Sequence, residues 1–160
     1  MEADFALLYV SDLARGESYE AVLDIAEQST RNNLRNGITG LLLFDGARFA
    51  QFVEGPEATI RDLCGRLRSD SRHESMDTLL FGQSIGARAF SVWQCVVLPE
   101  RDALIGKIDQ LRGTSGATAI GTFDELTSTL ASAGYVSTRS RQRPGPHLSG
   151  LRPAPFGSGP

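Results

Sequence analysis

Three uncharged hydrogen-bonding side chains, Tyr9, Asn33 and Gln51, fall on otherwise apolar faces of this 160-residue chain. Gln51 stands between Phe49 and Val53 on one side of the stretch "FAQFVEG", which alternates as a β-strand does. A buried side-chain amide without a partner costs about 1–3 kcal/mol. We therefore expect either an edge strand or a hydrogen-bonding partner for Gln51 in the core.

The other two side chains extend this pattern to two more elements. Tyr9 shares a strand face with Phe5 and Leu7, so a buried phenol would need a partner. Asn33 ends the apolar stripe of the first predicted helix. A phenol and two amides around an apolar slot suit a flat heteroaromatic ligand with carbonyls and ring nitrogens at its edge. A phenol beside a redox-active ring can also donate an electron to it.

Each of these residues also has an ordinary structural interpretation. Taken singly, Tyr9 can be a tyrosine at the edge of the core, Asn33 a helix C-terminal residue and Gln51 an edge-strand residue. No Asp, Glu or Lys stands beside them as a proton donor for hydrolysis. The three residues therefore indicate a binding site and do not predict an enzyme.

The elements that must position these residues follow from hydrophobic periodicity. Ser18 is the predicted N-cap of a helix that runs to about Leu34, and Gly55-Pro56-Glu57 is the predicted start of a second helix. Asp45-Gly46 predicts a hairpin turn. Five strands are predicted in the segments "DFALLYVS", "ITGLLLF", "ARFAQFVEG", "MDTLLFGQSI" and "FSVWQCVVL". The order β-α-β-β-α-β-β predicts an α+β, ferredoxin-like sheet with an extra strand and two helices on one face.

The composition changes after Pro99. The segment "ERDALIGKIDQL" has helical spacing, "GTSGATAIG" is a predicted link, and Thr122 with Glu125 predicts a capping box for a helix from about Phe123 to Ala133. Because two such helices have a small core, we expect them to pack on the other face of the sheet or on a second subunit. The predicted domains are residues 1–98, a helical extension 99–136 and a disordered, basic and proline-rich tail 137–160.

Composition limits the possible partners and the compartment. The net charge is -3, with 41% apolar and 22% charged residues, so nucleic acid is not an expected partner. No apolar run approaches the roughly 20 residues of a membrane span, and the acidic N-terminus does not resemble a signal peptide. Two cysteines, Cys64 and Cys95, do not form a disulfide framework. We expect a cytoplasmic protein without a metal site.

Four segments carry a family resemblance: "LLYVS", "NGITGLLLFDGARFAQFVEGP", "DSRHESM" and "RAFSVWQC". In order, spacing and residue types they resemble the BLUF domain, the blue-light sensor that uses FAD, over about residues 4–98. The resemblance is to the short, single-domain members. It implies a blue-light photoreceptor that binds FAD noncovalently and is not an enzyme.

The resemblance also implies roles for individual residues. Tyr9 would donate an electron to the excited flavin, and Gln51, between Tyr9 and the ring, would rearrange its amide. Asn33 would anchor the carbonyl and imide edge of the flavin. The other residues implied to lie at the cofactor are Ser11, Ile25, Ser29, Asn32, Phe49, Arg72 and His73. For the pair Arg72 and His73, a capped helix end with solvated charges is an equally good interpretation.

The last strand departs from the family pattern at one position. Trp93 matches the family's semi-buried tryptophan, but Cys95 stands where the family usually has methionine. Because cysteine is shorter and less adaptable than methionine, this departure bears on signal relay more than on flavin binding. The implied output runs through Trp93, Cys95 and the C-terminal helices to an unidentified partner protein, or between subunits of a homo-oligomer.

Three alternatives to a photoswitch stay open on the sequence. The first is a flavin-binding module without switching, and the second is an interaction domain with an empty core. The third is a small enzyme such as an acyl-phosphate hydrolase, for which Arg15 follows the first strand without a glycine-rich cradle. A flavin adduct on Cys95 is a further, less favoured possibility.

Overall fold

The computed structural model describes residues 4–84, 86–99, 102–137 and 152–153. The strands are β1 (Asp4–Leu13), β2 (Thr39–Phe44), β3 (Arg48–Pro56), β4 (His73–Gln83), β5 (Trp93–Val97) and β6 (Arg152–Pro153). The helices are α1 (Tyr19–Arg35), α2 (Glu57–Ser69), α3 (Gly116–Ser132) and a 3-10 helix at Lys107–Leu111.

The strands form one mixed sheet in the order β5-β2-β3-β1-β4-β6. β1 is antiparallel to β3 and β4, β2 is antiparallel to β3, and β5 is parallel to β2. A turn at Asp45–Arg48 joins β2 to β3, and Asp45 Oδ1 accepts the backbone N–H groups of Ala47 and Arg48. The predicted α+β sheet and its five principal strands are confirmed.

Alternation along the strands assigns side chains to two faces of the sheet. On β1, Phe5, Leu7 and Tyr9 join an apolar cluster with Ile60 and Cys64 of α2. A second cluster on the same face packs α1 over β2 and β5. The prediction that both helices lie on one face is therefore confirmed, and we call this face the site face.

The C-terminal extension covers the opposite face, which we call the extension face. Phe123 of α3 packs against Phe52 of β3, with ring centroids 5.9 Å apart and the rings tilted by 36°, and both side chains are buried. Ile108 and Leu111 of the 3-10 helix are fully buried in the same cluster. This packing supplies the larger core that the extension lacks by itself, and the expected packing on the other face of the sheet is confirmed.

The boundaries within the extension differ from the predicted ones. In the described part of the segment "ERDALIGKIDQL", residues 102–111, the predicted helix is reduced to turns and the 3-10 helix, and Gly106 adopts a left-handed conformation with φ +83°. The predicted link "GTSGATAIG" is wrong in its second half, because α3 already begins at Gly116. The predicted capping box is also wrong: Thr122 lies inside α3 and its hydroxyl donates to the carbonyl of Thr118 at 3.0 Å.

Two strand boundaries also differ from prediction. β4 begins at His73 rather than at Met76, and β5 begins at Trp93 rather than at Phe90. The connection between β4 and β5 is therefore longer than the predicted "GAR" link. Most of the predicted tail lies outside the described residues; within it, β6 pairs antiparallel with the end of β4.

Candidate functional site

A buried hydrogen bond between Tyr9 and Gln51 lies at the centre of the site face. The Tyr9 hydroxyl donates to Gln51 Oε1 at 2.7 Å, and each residue is 3% exposed. The two residues are direct antiparallel partners in the β1–β3 register, so both side chains point to the same face. Gln51 therefore has a partner in the core, and β3 is an inner strand and not an edge strand.

Burial keeps the Tyr9 phenol protonated. Desolvation is the main cause of a raised pKa of Tyr9, and the charges of Asp70 and Cys64 raise this pKa further. A protonated phenol is the form that can donate to Gln51 Oε1. The ring of His73 lies 6.0 Å from the Tyr9 ring, centroid to centroid, and so closes one side of the pair.

Four buried polar atoms around this pair have no hydrogen-bonding partner among the described residues of the chain. They are Ser11 Oγ, Asn33 Nδ2, His73 Nδ1 and Trp93 Nε1. A buried polar atom without a partner costs about 1–3 kcal/mol, so several of them near one another indicate a missing ligand. The amide of Asn33 and the indole of Trp93 offer N–H donors, and the Ser11 hydroxyl can donate or accept.

The free nitrogen of His73 complements these donors. His73 Nε2 lies 2.6 Å from the carbonyl oxygen of Leu67, so Nε2 carries the proton in this contact. In the neutral ring, Nδ1 is then an acceptor. The unpartnered atoms thus include donors and an acceptor and no carboxylate, which fits a neutral ligand with carbonyl and ring-nitrogen groups at its edge.

A cleft of about 380 Å³ opens between α1 and α2 beside these atoms. Its lining is Gln28, Ser29, Asn32, Asn33, Leu63, Arg66, Leu67, Ser69, Asp70 and Arg72. Ile25 and Phe49 lie in the neighbouring apolar cluster with Val22 and Leu42. The predicted residues Ser29, Asn32, Asn33 and Arg72 therefore line one cleft, and Ile25 and Phe49 lie on its apolar side.

Arg72 is already engaged in ionic and polar contacts. Its Nη2 lies 2.6 Å from Asp70 Oδ2 and 3.0 Å from Gln28 Oε1. The hydrogen bonds from Arg72 lower the pKa of Asp70, and Asp70 in turn raises the pKa of Arg72. Arg72 thus combines the two predicted interpretations, because it faces the cleft and also closes the loop after α2.

The register of the sheet places Trp93 and Cys95 of β5 next to the site. Cys95 pairs with Leu42 of β2, and Leu42 pairs with Gln51 of β3, so Tyr9, Gln51, Leu42 and Cys95 form one row across four strands. Trp93 is half-buried and packs against both apolar clusters of the site face. Burial raises the pKa of the Cys95 thiol to about 11. A thiol in this form is a weak nucleophile, which argues against the adduct hypothesis.

Sequence reasoning missed part of the lining. Gln28 lies one helical turn before Asn32, and Leu63, Arg66 and Leu67 share one face of α2. The i, i+4 spacing from Asn32 is a signal that could have found Gln28, whereas no predicted site residue on α2 pointed to the other three. Among the described residues, no group of three or more His, Cys, Asp or Glu side chains can hold a metal ion. No helix in the described part of the chain is long and apolar enough to cross a membrane.

A family model for BLUF, described as sensors of blue-light using FAD, matches residues 5–96. The chain belongs to the BLUF family. It is thus a member of a family of blue-light sensors that bind flavin, and the BLUF domain is a sensor module that is not itself catalytic. The matched region includes all but the first residue of β1, all of β2 to β4 and most of β5, and so contains both Tyr9 and Gln51.

Curated BLUF relatives match over the sensor region. The blue light- and temperature-regulated antirepressor BluF of Escherichia coli (strain K12) is 31% identical over 74 residues, 46% of this chain and 18% of the relative. The photoactivated adenylate cyclase subunit beta of Euglena gracilis is 36% identical over 73 residues, 46% of this chain and 8% of the relative. This chain therefore spans less than a fifth of the length of these relatives.

A solved BLUF structure matches over most of both chains. The dark-state structure of BlrB, a BLUF protein, has a TM-score of 0.67 and 29% sequence identity, covering 83% of this chain and 98% of BlrB. The structure of Klebsiella pneumoniae BlrP1 with FMN and cyclic diGMP has a TM-score of 0.60 and 25% identity, covering 82% of this chain and 36% of BlrP1. The similarity to BlrB extends beyond the family match into the C-terminal extension.

Proposed function

We propose that this BLUF protein holds FAD between α1 and α2 and works as a reversible blue-light switch whose photochemical residues are Tyr9 and Gln51. The buried 2.7 Å hydrogen bond between them, surrounded by unpartnered polar atoms, is the observation that carries the proposal. The residues that would hold the cofactor are Ser11, Ile25, Ser29, Asn32, Asn33, Phe49, Gln51, Arg72 and His73. Of the possible flavins we propose FAD, because the family description names it. Arg66 at the cleft offers a cation for a phosphate of the cofactor.

A bound flavin supplies the absorption of blue light and, once excited, an electron acceptor. Tyr9 would be the donor, because loss of an electron makes its phenol far more acidic and the proton can pass along the existing hydrogen bond to Gln51 Oε1. When the electron returns, a proton would return to the Tyr9 oxygen, so that Tyr9 is again a neutral phenol. The Gln51 amide would then be left in a changed tautomer or orientation. An amide turned toward Tyr9 presents N–H donors, so the phenol must change from donor to acceptor.

The energy available from this change limits the output. A few rearranged hydrogen bonds are worth about 1 kcal/mol each, which can bias a two-state element but cannot remodel the fold. The proposed route runs through β5, with Trp93 and Cys95, to the C-terminal extension. The output would be a light-dependent noncovalent contact with a partner protein or between subunits. The two free cysteines support a cytoplasmic location.

The deciding experiment is the absorption spectrum of FAD-loaded protein before and after blue light, followed in the dark. We expect a reversible red shift of the flavin band. Tyr9→Phe and Gln51→Leu should keep the yellow colour and lose the shift, because they remove the hydrogen bond but not the cleft. Tyr19→Phe is the matched control, since Tyr19 is an exposed tyrosine of α1.

Two outcomes would contradict the proposal. A normal photocycle in either site variant would remove Tyr9 and Gln51 from the mechanism. Protein that takes up no flavin would exclude the cofactor. Cys95, in place of the family's usual methionine, favours one second candidate, a flavin-binding module without switching. That candidate predicts yellow wild-type protein with no light-induced shift.

A further inference from the structure

A buried carboxyl group on the extension face has no role in the proposed photochemistry. Glu54 of β3 is 1% exposed. Its Oε1 accepts the backbone N–H of Phe90 at 2.9 Å and the Thr39 hydroxyl at 3.4 Å. Carboxylates are almost never fully buried without specific partners, so the burial of Glu54 depends on these two contacts.

The charged groups around Glu54 come from two segments of the described chain. Burial has the largest effect on the pKa of Glu54 and raises it. The hydrogen bond from the Phe90 N–H and the charge of Arg88 in the β4–β5 connection lower this pKa, and the charge of Asp4 of β1 raises it. Arg88 forms a forked ion pair with Asp4, at 2.8 and 2.9 Å, and also donates to the carbonyl of Gly37 at 2.6 Å. The net effect raises the pKa of Glu54 to about 7. The carboxyl group therefore changes its charge near neutral pH.

The acceptor role of Glu54 connects this charge to the start of β5. Phe90 is three residues before Trp93, the first residue of β5. Between them, the Val92 carbonyl accepts the N–H of Gly40 in β2 at 3.2 Å. The segment Phe90–Trp93 is thus attached to β3 through Glu54 and to β2 through Gly40. Trp93 itself packs on the site face, on the opposite side of the sheet from Glu54.

We propose that Glu54 is a positioning residue: the protonation of its side chain sets the placement of the segment Phe90–Trp93, and with it the environment of the Trp93 indole. An ionised carboxylate accepts a shorter and stronger hydrogen bond from the Phe90 N–H and attracts Arg88. A protonated carboxyl group is a weaker acceptor and carries a donor of its own. The segment is therefore held more tightly above neutral pH than below it.

Trp93 reports on this directly, because it is the only tryptophan in the chain. The test follows the tryptophan emission maximum of the full chain in the dark, from about pH 5.5 to about pH 8.5. We expect a single sigmoidal shift with a midpoint near neutral pH. Glu54→Gln should abolish the shift and keep the emission of wild-type protein at low pH, because glutamine imitates the protonated carboxyl group.

One variant separates Glu54 from other carboxylates. Glu57→Gln removes an exposed carboxylate that pairs with Arg61, and it should leave the shift unchanged. If Glu54→Gln does not fold, Glu54→Asp serves in its place and should move the midpoint. A flat wild-type profile, a shift that survives Glu54→Gln or is unmoved in Glu54→Asp, or its loss in Glu57→Gln, overturns the inference.

A second arm rests on the proposed function. In FAD-loaded protein, the rate of dark recovery after blue light should follow the same midpoint in the wild type and become independent of pH in Glu54→Gln. A recovery rate that is independent of pH in the wild type overturns the coupling of Glu54 to the photocycle. Absence of any light-induced shift contradicts the proposed function instead, and leaves the fluorescence result to decide on Glu54.

Discussion

Several buried side chains at the site face lack a hydrogen-bonding partner among the described residues. Asn33 is 2% exposed, yet its Nδ2 has no partner among the described residues. Ser11 Oγ, two residues after Tyr9 on the same face of β1, also has no partner among the described residues. Such groups destabilise a protein in the absence of a ligand and strengthen binding when a ligand satisfies them. Ligand affinity and the stability of the flavin-free protein are therefore opposed at these positions.

Asn33→Leu should make this opposition measurable. Leucine fills the position with a good helix former and without an unsatisfied donor, so the flavin-free protein should gain up to about 1 kcal/mol. Flavin affinity should fall by about tenfold or more, because a buried hydrogen bond is lost. Flavin titration and thermal unfolding of the flavin-free protein check both. Asn32→Leu, at an exposed neighbour, should weaken binding less; equal losses would contradict the role of Asn33.

Glu54 gives a prediction on stability and pH. Its pKa in the folded protein is raised from 4.5 to about 7, so its contribution to stability is full below about pH 4.5 and is lost as pH rises through about 7. The upper bound is about 3 kcal/mol. Urea unfolding at several pH values should therefore show a decline in the free energy of unfolding between about pH 4.5 and about pH 7 that is flattened in Glu54→Gln. If the free energy of unfolding of Glu54→Gln depended on pH as strongly as that of the wild type, this prediction would be contradicted.

The sequence predicted some of these residues and not others, for physical reasons. Tyr9, Asn33 and Gln51 could be found because each interrupts an apolar face. His73 and Trp93 were named through the family resemblance and not from hydrophobic patterning, since an unpartnered ring nitrogen depends on the burial that only packing creates. Glu54 shares a strand face with Ala50 and Phe52, and it is buried because the extension covers that face.

At the scale of elements, α3 shows how packing overrides local propensity. Gly121 is a poor helix former, at about 1 kcal/mol relative to alanine. It is nevertheless helical, because Ala119, Ile120 and Phe123 are buried on the sheet. The same region reads as a glycine-rich link on sequence alone. Strands with clear alternation and turn residues, such as β2 and β3, were predictable because their local and tertiary preferences agree.

Gly40 of β2 is the most constrained position of the sheet. Its φ of +149° is one that other residues rarely adopt, and a Cβ atom there would lie 2.0 Å from the Phe52 carbonyl oxygen. Gly40→Ala should therefore cost about 3 kcal/mol or more, measured by chemical unfolding. The control is Gly65→Ala in α2, where nothing lies within 4 Å and a gain of up to about 1 kcal/mol is expected. Similar results for the two variants would contradict this account.

At the scale of the whole molecule, one sheet separates two packed layers. The site face carries α1, α2 and the candidate flavin cleft, and the extension face carries α3 and the 3-10 helix. Arg112 anchors the extension to the sheet through Asp12 at 2.9 Å and the Ser75 carbonyl at 2.9 Å. The extension is therefore an integral part of the core and not a loosely attached tail.

Phe123→Ala tests that integration. The ring is 1% exposed and fills the space over Phe52, so we expect a loss of about 3–5 kcal/mol of global stability in a single unfolding transition. Leu34→Ala, at an apolar side chain that is 80% exposed, should change stability by less than about 0.5 kcal/mol. The unfolding transitions followed by near-UV and far-UV circular dichroism should coincide in both variants. Separate transitions for sheet and extension would contradict a shared core.

The alternation along β3 has a consequence for protein engineering. Gln51 and Phe52 are neighbours in the chain but belong to different layers, so a designer can rewrite the even-numbered side chains of this strand other than Glu54, together with α3, while the odd-numbered ones stay unchanged. New output modules can thus be attached to one side of the sheet without redesigning the candidate flavin cleft on the other. Because the backbone of β3 belongs to both layers, any structural change at the cleft must reach an attached output module through this strand.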